Sequence, residues 1–231
     1  MAAFKCILFY RVLLVDLLEG KIRDEVVRHF EVSSETRTGP GENLFSFLAD
    51  CIKTFLQDLN LLTEQLSLGF TFSFPMSQEG LASARLVSWT KSFNCPGVEG
   101  EEVVSLLQNA IDCKNLNVKV VAILNDTTGT LVAGSYVDPN CTVGLIMGSG
   151  HNGCYFESSE NIVRWSGDRQ WVIVDPEFGA FGDPGKGGVL DFLRSEFDNK
   201  VDEASLLPGK YTFEKYIGGN FLGEIARYNI K

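Results

Sequence analysis

The chain of 231 residues has only two histidines, His29 and His151, in unrelated contexts. Its six cysteines are scattered singly and never form a Cys-x-x-Cys pair. Both shortages argue against zinc, which needs closely grouped Cys and His ligands. Thiols spread this thinly read as reduced cysteines of a cytoplasmic protein, not as a disulfide framework. Positive charge is scarce as well: 20 Lys and Arg face 30 Asp and Glu, a net charge of −10. A negative field repels phosphate backbones and anionic bilayers, so neither nucleic acid nor a membrane surface is an expected partner. No apolar run approaches the ~18 residues of a membrane span. The run from Met1 to Tyr10 contains Lys5, is followed by Arg11 and Asp16, and ends in no small-residue cleavage site, so it does not read as a secretory signal. Internal repeats and low-complexity segments are lacking too.

What is present is a globular composition, 45% hydrophobic and 22% charged, which excludes disorder across the whole chain. The length suits one domain or two small ones with a core of their own. Cys6 to Leu18 is apolar and predicts a buried strand over residues 10–17, ending at Glu19-Gly20. His29 to Val32 reads as another strand, and Ser33 to Gly41 as a loop. Leu44, Leu48, Cys51, Phe55 and Leu59 recur at helical spacing, with Asn43 as a candidate cap. Ser67 to Phe74 predicts a strand stopped by Pro75. Glu101 and Glu102 suit the first turn of a helix through Val103, Leu107 and Ile111. Val118 to Leu124 is near-continuously apolar, the pattern of a strand covered on both faces. A helix over 127–136 and strands over 142–147, 154–156 and 171–174 follow, then helices over 189–197 and 213–228. Strands alternating with helices predict an α/β fold with a mixed sheet.

Several segments carry chemistry. Gly148-Ser149-Gly150-His151-Asn152-Gly153 matches the G-x-G-x-x-G pattern of dinucleotide sites, with Asp175 at a suitable distance. That pattern must open a helix, whereas Cys154-Tyr155-Phe156 reads as a strand. The segment therefore reads as a tight strand–turn–strand that needs glycine, offering Ser149 and Asn152 to a ligand. A nicotinamide-dependent oxidoreductase stays as the reading outside this one. Asn125-Asp126-Thr127 follows the strand Val118 to Leu124, where α/β sheets bind ligands. There Asp126 can act as a general base, or the three residues can simply turn the chain and cap a helix. Ser73, Thr90 and Lys91 offer polar groups on aromatic scaffolding. Glu177 and Glu214 are carboxylates of the kind that accept paired sugar hydroxyls, and Glu214 equally suits a helix N-terminus.

Taken in order, Leu68-Gly69-Phe70-Thr71-Phe72-Ser73-Phe74-Pro75, Trp89-Thr90-Lys91, Asn125-Asp126-Thr127, Gly148-Ser149-Gly150-His151-Asn152, Glu177-Phe178-Gly179-Ala180-Phe181-Gly182, Phe213-Glu214-Lys215 and Gly223-Glu224 resemble the eukaryotic hexokinase/glucokinase family. The resemblance runs from about Tyr10 onward. It implies a ribonuclease-H-like, actin-like ATPase fold, with residues 1–171 as a partial small-lobe, sugar-binding region and residues 172–231 as the start of the large lobe. It implies ATP-dependent phosphorylation of glucose-like hexoses at the 6-hydroxyl, with ATP and Mg²⁺ as co-substrate. By position, the implied hexose contacts are Ser73, Thr90, Lys91, Asn125, Asp126, Asn152, Glu177 and Glu214, with Asp126 as the catalytic base. Ser149 and Thr127 fall near the nucleotide phosphates, and no metal ligand is implied.

Three departures qualify what is expected. Met1 to Phe9 contains no glycine where the family has its first phosphate loop. The chain stops at Lys231, inside the helical start of the large lobe. Asp175 and Pro176 stand where the family usually has Asn and Thr. The expectation is therefore a truncated hexokinase that keeps its sugar half and has no useful turnover alone. It is either part of an active enzyme or a catalytically dead, sugar-binding regulator. The apolar stripe Ile217, Phe221, Leu222 and Ile225 is expected to lie open and invite self-association.

Overall fold

Val, Leu, Phe and Tyr dominate residues 9–18 and favour extended backbone. In the computed structural model of the chain they form β1 (Phe9–Leu18). The structure describes residues 9–19, 21–163 and 165–230, so the expectations for Met1 to Phe9 lie outside the described residues, Phe9 excepted. The chain divides into two units, one made of Met1–Phe70, Met76–Trp89 and Phe93–Ile123, the other of Thr71–Pro75, Thr90–Ser92 and Leu124–Lys231.

In the first unit β1 pairs antiparallel with β2 (Lys21–Glu31), Phe9 opposite Glu31. The second strand is thus far longer than the expected His29 to Val32. The expected burial of β1 is corrected too. The pair forms a two-stranded sheet in which Val12 is buried while Phe9, Leu13, Ile22, Val26 and Val27 are exposed. Such a ribbon has few neighbours to cover it. The expected loop holds a short helix, α1 (Ser34–Thr38), because Ser33 Oγ accepts the Thr36 N–H at 3.1 Å. α2 (Gly41–Asp58) buries the anticipated Leu44, Leu48, Cys51 and Phe55, with Phe45, Ala49 and Ile52 added, while Leu59 falls just past its end and is half-buried. Its cap residue is Pro40, not Asn43, because proline suits a helix start that needs no N–H.

After β3 (Leu66–Thr71) come β4 (Met76–Gly80) and β5 (Ser83–Leu86), which pair with each other. The acidic start was well placed for α3 (Val103–Cys113). The Glu102 carboxylate accepts the N–H groups of Val104 and Ser105 at 3.3 and 2.6 Å. α3 packs its Val103, Leu107 and Ile111 side on α2. β6 (Val118–Leu124) pairs with β3 alone among the described strands. The expectation that β6 is covered on both faces is corrected: Val118, Val120 and Ile123 are buried, but Lys119 and Val121 face solvent.

The second unit is built on a three-stranded antiparallel sheet. α4 (Asp126–Val137) lies against β7 (Val143–Met147) and β8 (His151–Ser158), and β9 (Trp171–Val174) completes the sheet in the order β7-β8-β9. The helix expected over 189–197 is corrected. Only a 3₁₀ turn forms at Asp191–Leu193, and α5 (Glu196–Ala204) starts later, where Ser195 and Asp198 form a reciprocal capping box. The single helix expected over 213–228 is two, α6 (Thr212–Ile217) and α7 (Gly219–Ile230). The break has a tertiary cause. The carbonyls of Gly148 and Ser149 accept the Gly219 and Asn220 N–H groups at 2.9 and 3.1 Å, taking donors that a continuous helix would use internally. No residue of α7 is buried, and Ile217 and Leu222 are exposed. No helix among the described residues is long and apolar enough to cross a membrane.

Candidate functional site

The site is assembled wholly within the second unit. Asn125 leaves β6 in extended geometry, and its Oδ1 accepts the Thr127 N–H at 2.8 Å, starting α4. Asp126 thereby becomes the first helical residue, where the helix dipole favours a carboxylate. Its Oδ1 accepts the same N–H at 3.0 Å, while Oδ2 lies 4.0 Å from Lys91 Nζ. One oxygen is tied to the main chain and the other faces a cation. Lys91 sits on a strained loop, with φ of 53° at Lys91 and 66° at Ser92. Its Nζ donates to the Ser73 carbonyl at 2.9 Å, and Asn220 Nδ2 donates to Ser92 Oγ at 3.0 Å. Thr90 is buried beside it.

The β7–β8 turn closes with Gly148 N–H to the Gly150 carbonyl at 3.0 Å, and Met147 stands opposite His151. It is strand–turn–strand, so the G-x-G-x-x-G segment opens no helix and the dinucleotide reading falls. Gly150 is required for space: a Cβ there would collide with the Glu214 carboxylate and lie 2.6 Å from Lys91 Cε. His151 N–H donates to Glu214 Oε2 at 2.9 Å. Glu214 is buried on α6, whose start is held by Asp183. The Asp183 carboxylate accepts from Tyr211 N at 3.1 Å, Thr212 N at 2.9 Å and Thr212 Oγ1 at 2.8 Å. A cavity of about 140 Å³ lies beside these groups, lined by Thr90, Lys91 and Glu214 but more by residues of the 204–211 segment; Asp126, Asn152 and Glu177 do not line it.

Asn152 Nδ2 donates to Asp175 Oδ1 at 2.8 Å, and its own Oδ1 accepts the Gly153 N–H at 2.9 Å. Glu177 follows in left-handed backbone, φ 50° and ψ 49°. Burial pushes its carboxyl up to about 7. The charges of Asp175, Glu214 and Asp126 add to the rise, and Lys91 opposes it. Burial also raises Glu214, against the His151 N–H, Lys91 and Lys215. Four carboxylates thus share one neighbourhood with Lys91.

Of the residues singled out in the sequence, Ser73, Lys91, Asn125, Asp126, Asn152, Glu177 and Glu214 are linked by these contacts, and Thr90 joins them at the cavity. Ser149 holds α7 through its carbonyl, and its side chain is half-buried. Thr127 is fully buried and its N–H is committed to Asn125 and Asp126. Among the described residues no group of three or more His, Cys, Asp or Glu side chains is arranged for a metal ion. The sequence reading passed over Asp175 as a site residue. Its signal was its place at the end of β9, two residues before Glu177.

Two family models, each described as hexokinase, match this chain, one over residues 9–136 and the other over residues 142–231. The hexokinase of Schistosoma mansoni is 43% identical over 224 residues, 96% of this chain and 49% of that protein. Hexokinase-2 of Rattus norvegicus is 45% identical over 221 residues, 94% of this chain and 24% of that protein. A solved structure of the Schistosoma mansoni hexokinase complexed with glucose superposes with a TM-score of 0.90 at 43% identity, covering 96% of this chain and 50% of that one. A second hexokinase crystal structure gives 0.67 at 30% identity, covering 96% of this chain and 49% of that one. The chain spans about half the length of the schistosome relative and about a quarter of the rat one. With its mixed α/β content it has the actin-like ATPase fold of those enzymes, and it belongs to the hexokinase family.

Proposed function

We propose that this chain carries the sugar-binding and base-bearing part of an ATP-dependent hexose 6-phosphotransferase acting on glucose-like hexoses in the cytoplasm. The observation that carries the reading is the convergence of Lys91, Asp126, Asn152, Glu177 and Glu214 in one unit. A hexose offers several hydroxyls, and buried carboxylates and amides accept from and donate to such groups. The glucose in the complexed schistosome relative supports the choice of sugar. The five described cysteines are free, which suits a reducing compartment.

Asp126 Oδ2 takes the proton of the sugar 6-hydroxyl as its oxygen forms the new bond to phosphorus, and the bond to the departing nucleotide breaks. Thr127 N–H holds the other oxygen still, which matters because phosphoryl transfer is catalysed mainly by positioning and charge. Mg-ATP enters as co-substrate and supplies the phosphoryl group. The described residues offer it little beyond Ser149, so its cradle is not assigned to them.

Calorimetric titration with glucose, beside a coupled assay of glucose 6-phosphate, tests the reading. Glu177→Ala and Glu214→Ala are each expected to weaken glucose binding by about 1.5–3 kcal/mol, roughly ten- to a hundredfold. Unchanged affinity in both would remove the pocket. Gly150→Ala is expected to weaken glucose binding as well, since the new methyl displaces the ends of Glu214 and Lys91. Glu214 is buried and its Oε2 holds the His151 N–H, so a lowered melting temperature is expected beside the weaker binding. A variant that unfolds instead would place the role of Gly150 in folding.

A further inference from the structure

Asp175 is a buried acid that the proposed phosphotransfer does not use. Its Oδ1 accepts two donors, Asn152 Nδ2 at 2.8 Å and the Glu177 N–H at 3.3 Å. Its Oδ2 is buried and accepts no hydrogen bond. The first contact joins β8 to the segment after β9. The second spans two residues of chain and closes a turn through Pro176, which holds Glu177 in its left-handed backbone at φ 50°. A non-glycine residue persists there only when its surroundings impose it. The unpartnered Oδ2 is the unusual feature, because burying a charged oxygen without a donor is costly. A residue needed only as an acceptor for two N–H groups gains nothing from that second oxygen.

We propose that Asp175 is a positioning residue of the hexose pocket, holding Asn152 and the Glu177 main chain through Oδ1 and placing its own carboxylate beside Glu177. This rests on the sugar-site reading above. The groups facing Glu177 are Asp175 on its own segment, Lys91 on the loop after β5, Asp126 at the start of α4, and Glu214 on α6. Of the neighbouring groups on the elements packed against it, His151 on β8 is held neutral by burial, and Lys215 on α6 is engaged by Asp202. After burial itself, Asp175 is the charged group that contributes most to the rise to about 7. Asp175 is also raised by burial, while its two N–H donors favour its charged form. Glu177 therefore gains its charge, and its full capacity to accept sugar hydroxyls, as pH rises through neutrality.

The experiment is a carbon-13 carboxyl NMR titration of the unliganded 231-residue chain, with the Glu177 signal assigned by Glu177→Gln, in the parent and in Asp175→Asn. The asparagine keeps the Oδ1 acceptor and removes the charge. The Glu177 midpoint is expected to fall by roughly one pH unit, the size of effect a close like charge exerts. An unmoved midpoint overturns the proposal. Glucose titrations at pH 6 and pH 8 accompany it. At pH 6 Asp175→Asn is expected to bind glucose about fivefold more tightly than the parent, the ratio of ionised fractions for midpoints of about 7 and 6. At pH 8 it is expected to match the parent, whereas Asp175→Ala, which loses the Oδ1 contacts, binds more weakly. Equal losses at pH 8 in the alanine and asparagine variants overturn the positioning role. A moved midpoint with no glucose binding at any pH upholds the link between Asp175 and Glu177 and refutes the sugar reading instead.

Discussion

In a kinase-competent version of the chain, completed with the family's phosphate loops, Asp126→Ala is expected to lower glucose phosphorylation by about 10²–10⁴-fold, the usual contribution of a general base, while glucose affinity changes only a few-fold. The separation follows from geometry. Asp126 lies on the first turn of α4 with Oδ1 tied to the Thr127 N–H and Oδ2 opposite Lys91 Nζ at 4.0 Å. The free oxygen faces the pocket's cation and is placed for one proton. Glu177, Glu214 and Asn152 are left to hold the remaining hydroxyls. Removing the carboxylate therefore deletes an interaction that strengthens as the proton moves, and it lowers turnover more than binding. The rate comes from a coupled glucose 6-phosphate assay and the affinity from calorimetry on the same protein, so the binding half can be read even where turnover is slow. Turnover within about threefold of the parent would contradict the general-base role, whose smallest usual effect is far larger.

Asp202→Ala is expected to cost the second unit about 3–5 kcal/mol of stability, the usual result of leaving a buried ion without its partner. Asp202 on α5 is 13% exposed and meets two nearly covered cations, Lys215 Nζ at 2.5 Å and Arg194 Nη2 at 3.3 Å. It also accepts the Gly209 N–H at 3.0 Å. Burial alone would raise its carboxyl, but the Lys215 hydrogen bond, the Gly209 N–H and Arg194 outweigh burial and lower it. A lowered folded value means that this stabilisation is present above the ordinary carboxylate range and is lost as pH falls through the folded value. The loss in Asp202→Ala should therefore be full at pH 7 and shrink below about pH 4. Urea unfolding at both pH values measures it, and a loss below about 1 kcal/mol at pH 7 would mean the network is only a surface ion pair. Lys215 follows Glu214 in the same short helix, so the glucose affinity of this variant should fall too.

Local pattern carried much of the fold. β9 was read residue for residue, because Trp171–Val174 is apolar and β-rich between turn-forming stretches. α2 and α3 followed from apolar spacing, and α3 starts where its acidic residues indicated. The β7–β8 turn was legible because Gly148 and Gly150 flank a turn between two apolar runs. Misses occurred where a distant group decided. α5 begins at a capping box of Ser195 and Asp198, whereas the expected helix over 189–197 started six residues earlier at apolar Val189.

The sequence by itself determined which residue types stand at the pocket and in what order, because family motifs are local strings, and which segments are helix or strand, because side-chain period is local too. Tertiary structure decided the rest. It broke the last helix at Gly218, since the hairpin carbonyls of Gly148 and Ser149 claim the N–H groups of Gly219 and Asn220. It left one side of β6 open, since covering a strand depends on neighbours that an apolar run does not name. It also brought Asp175 to Asn152, 23 positions away in the chain, and pressed Glu177 among three other carboxylates. Charge, burial and hydrogen-bond pairing are properties of distance in space, and only the folded chain sets those distances.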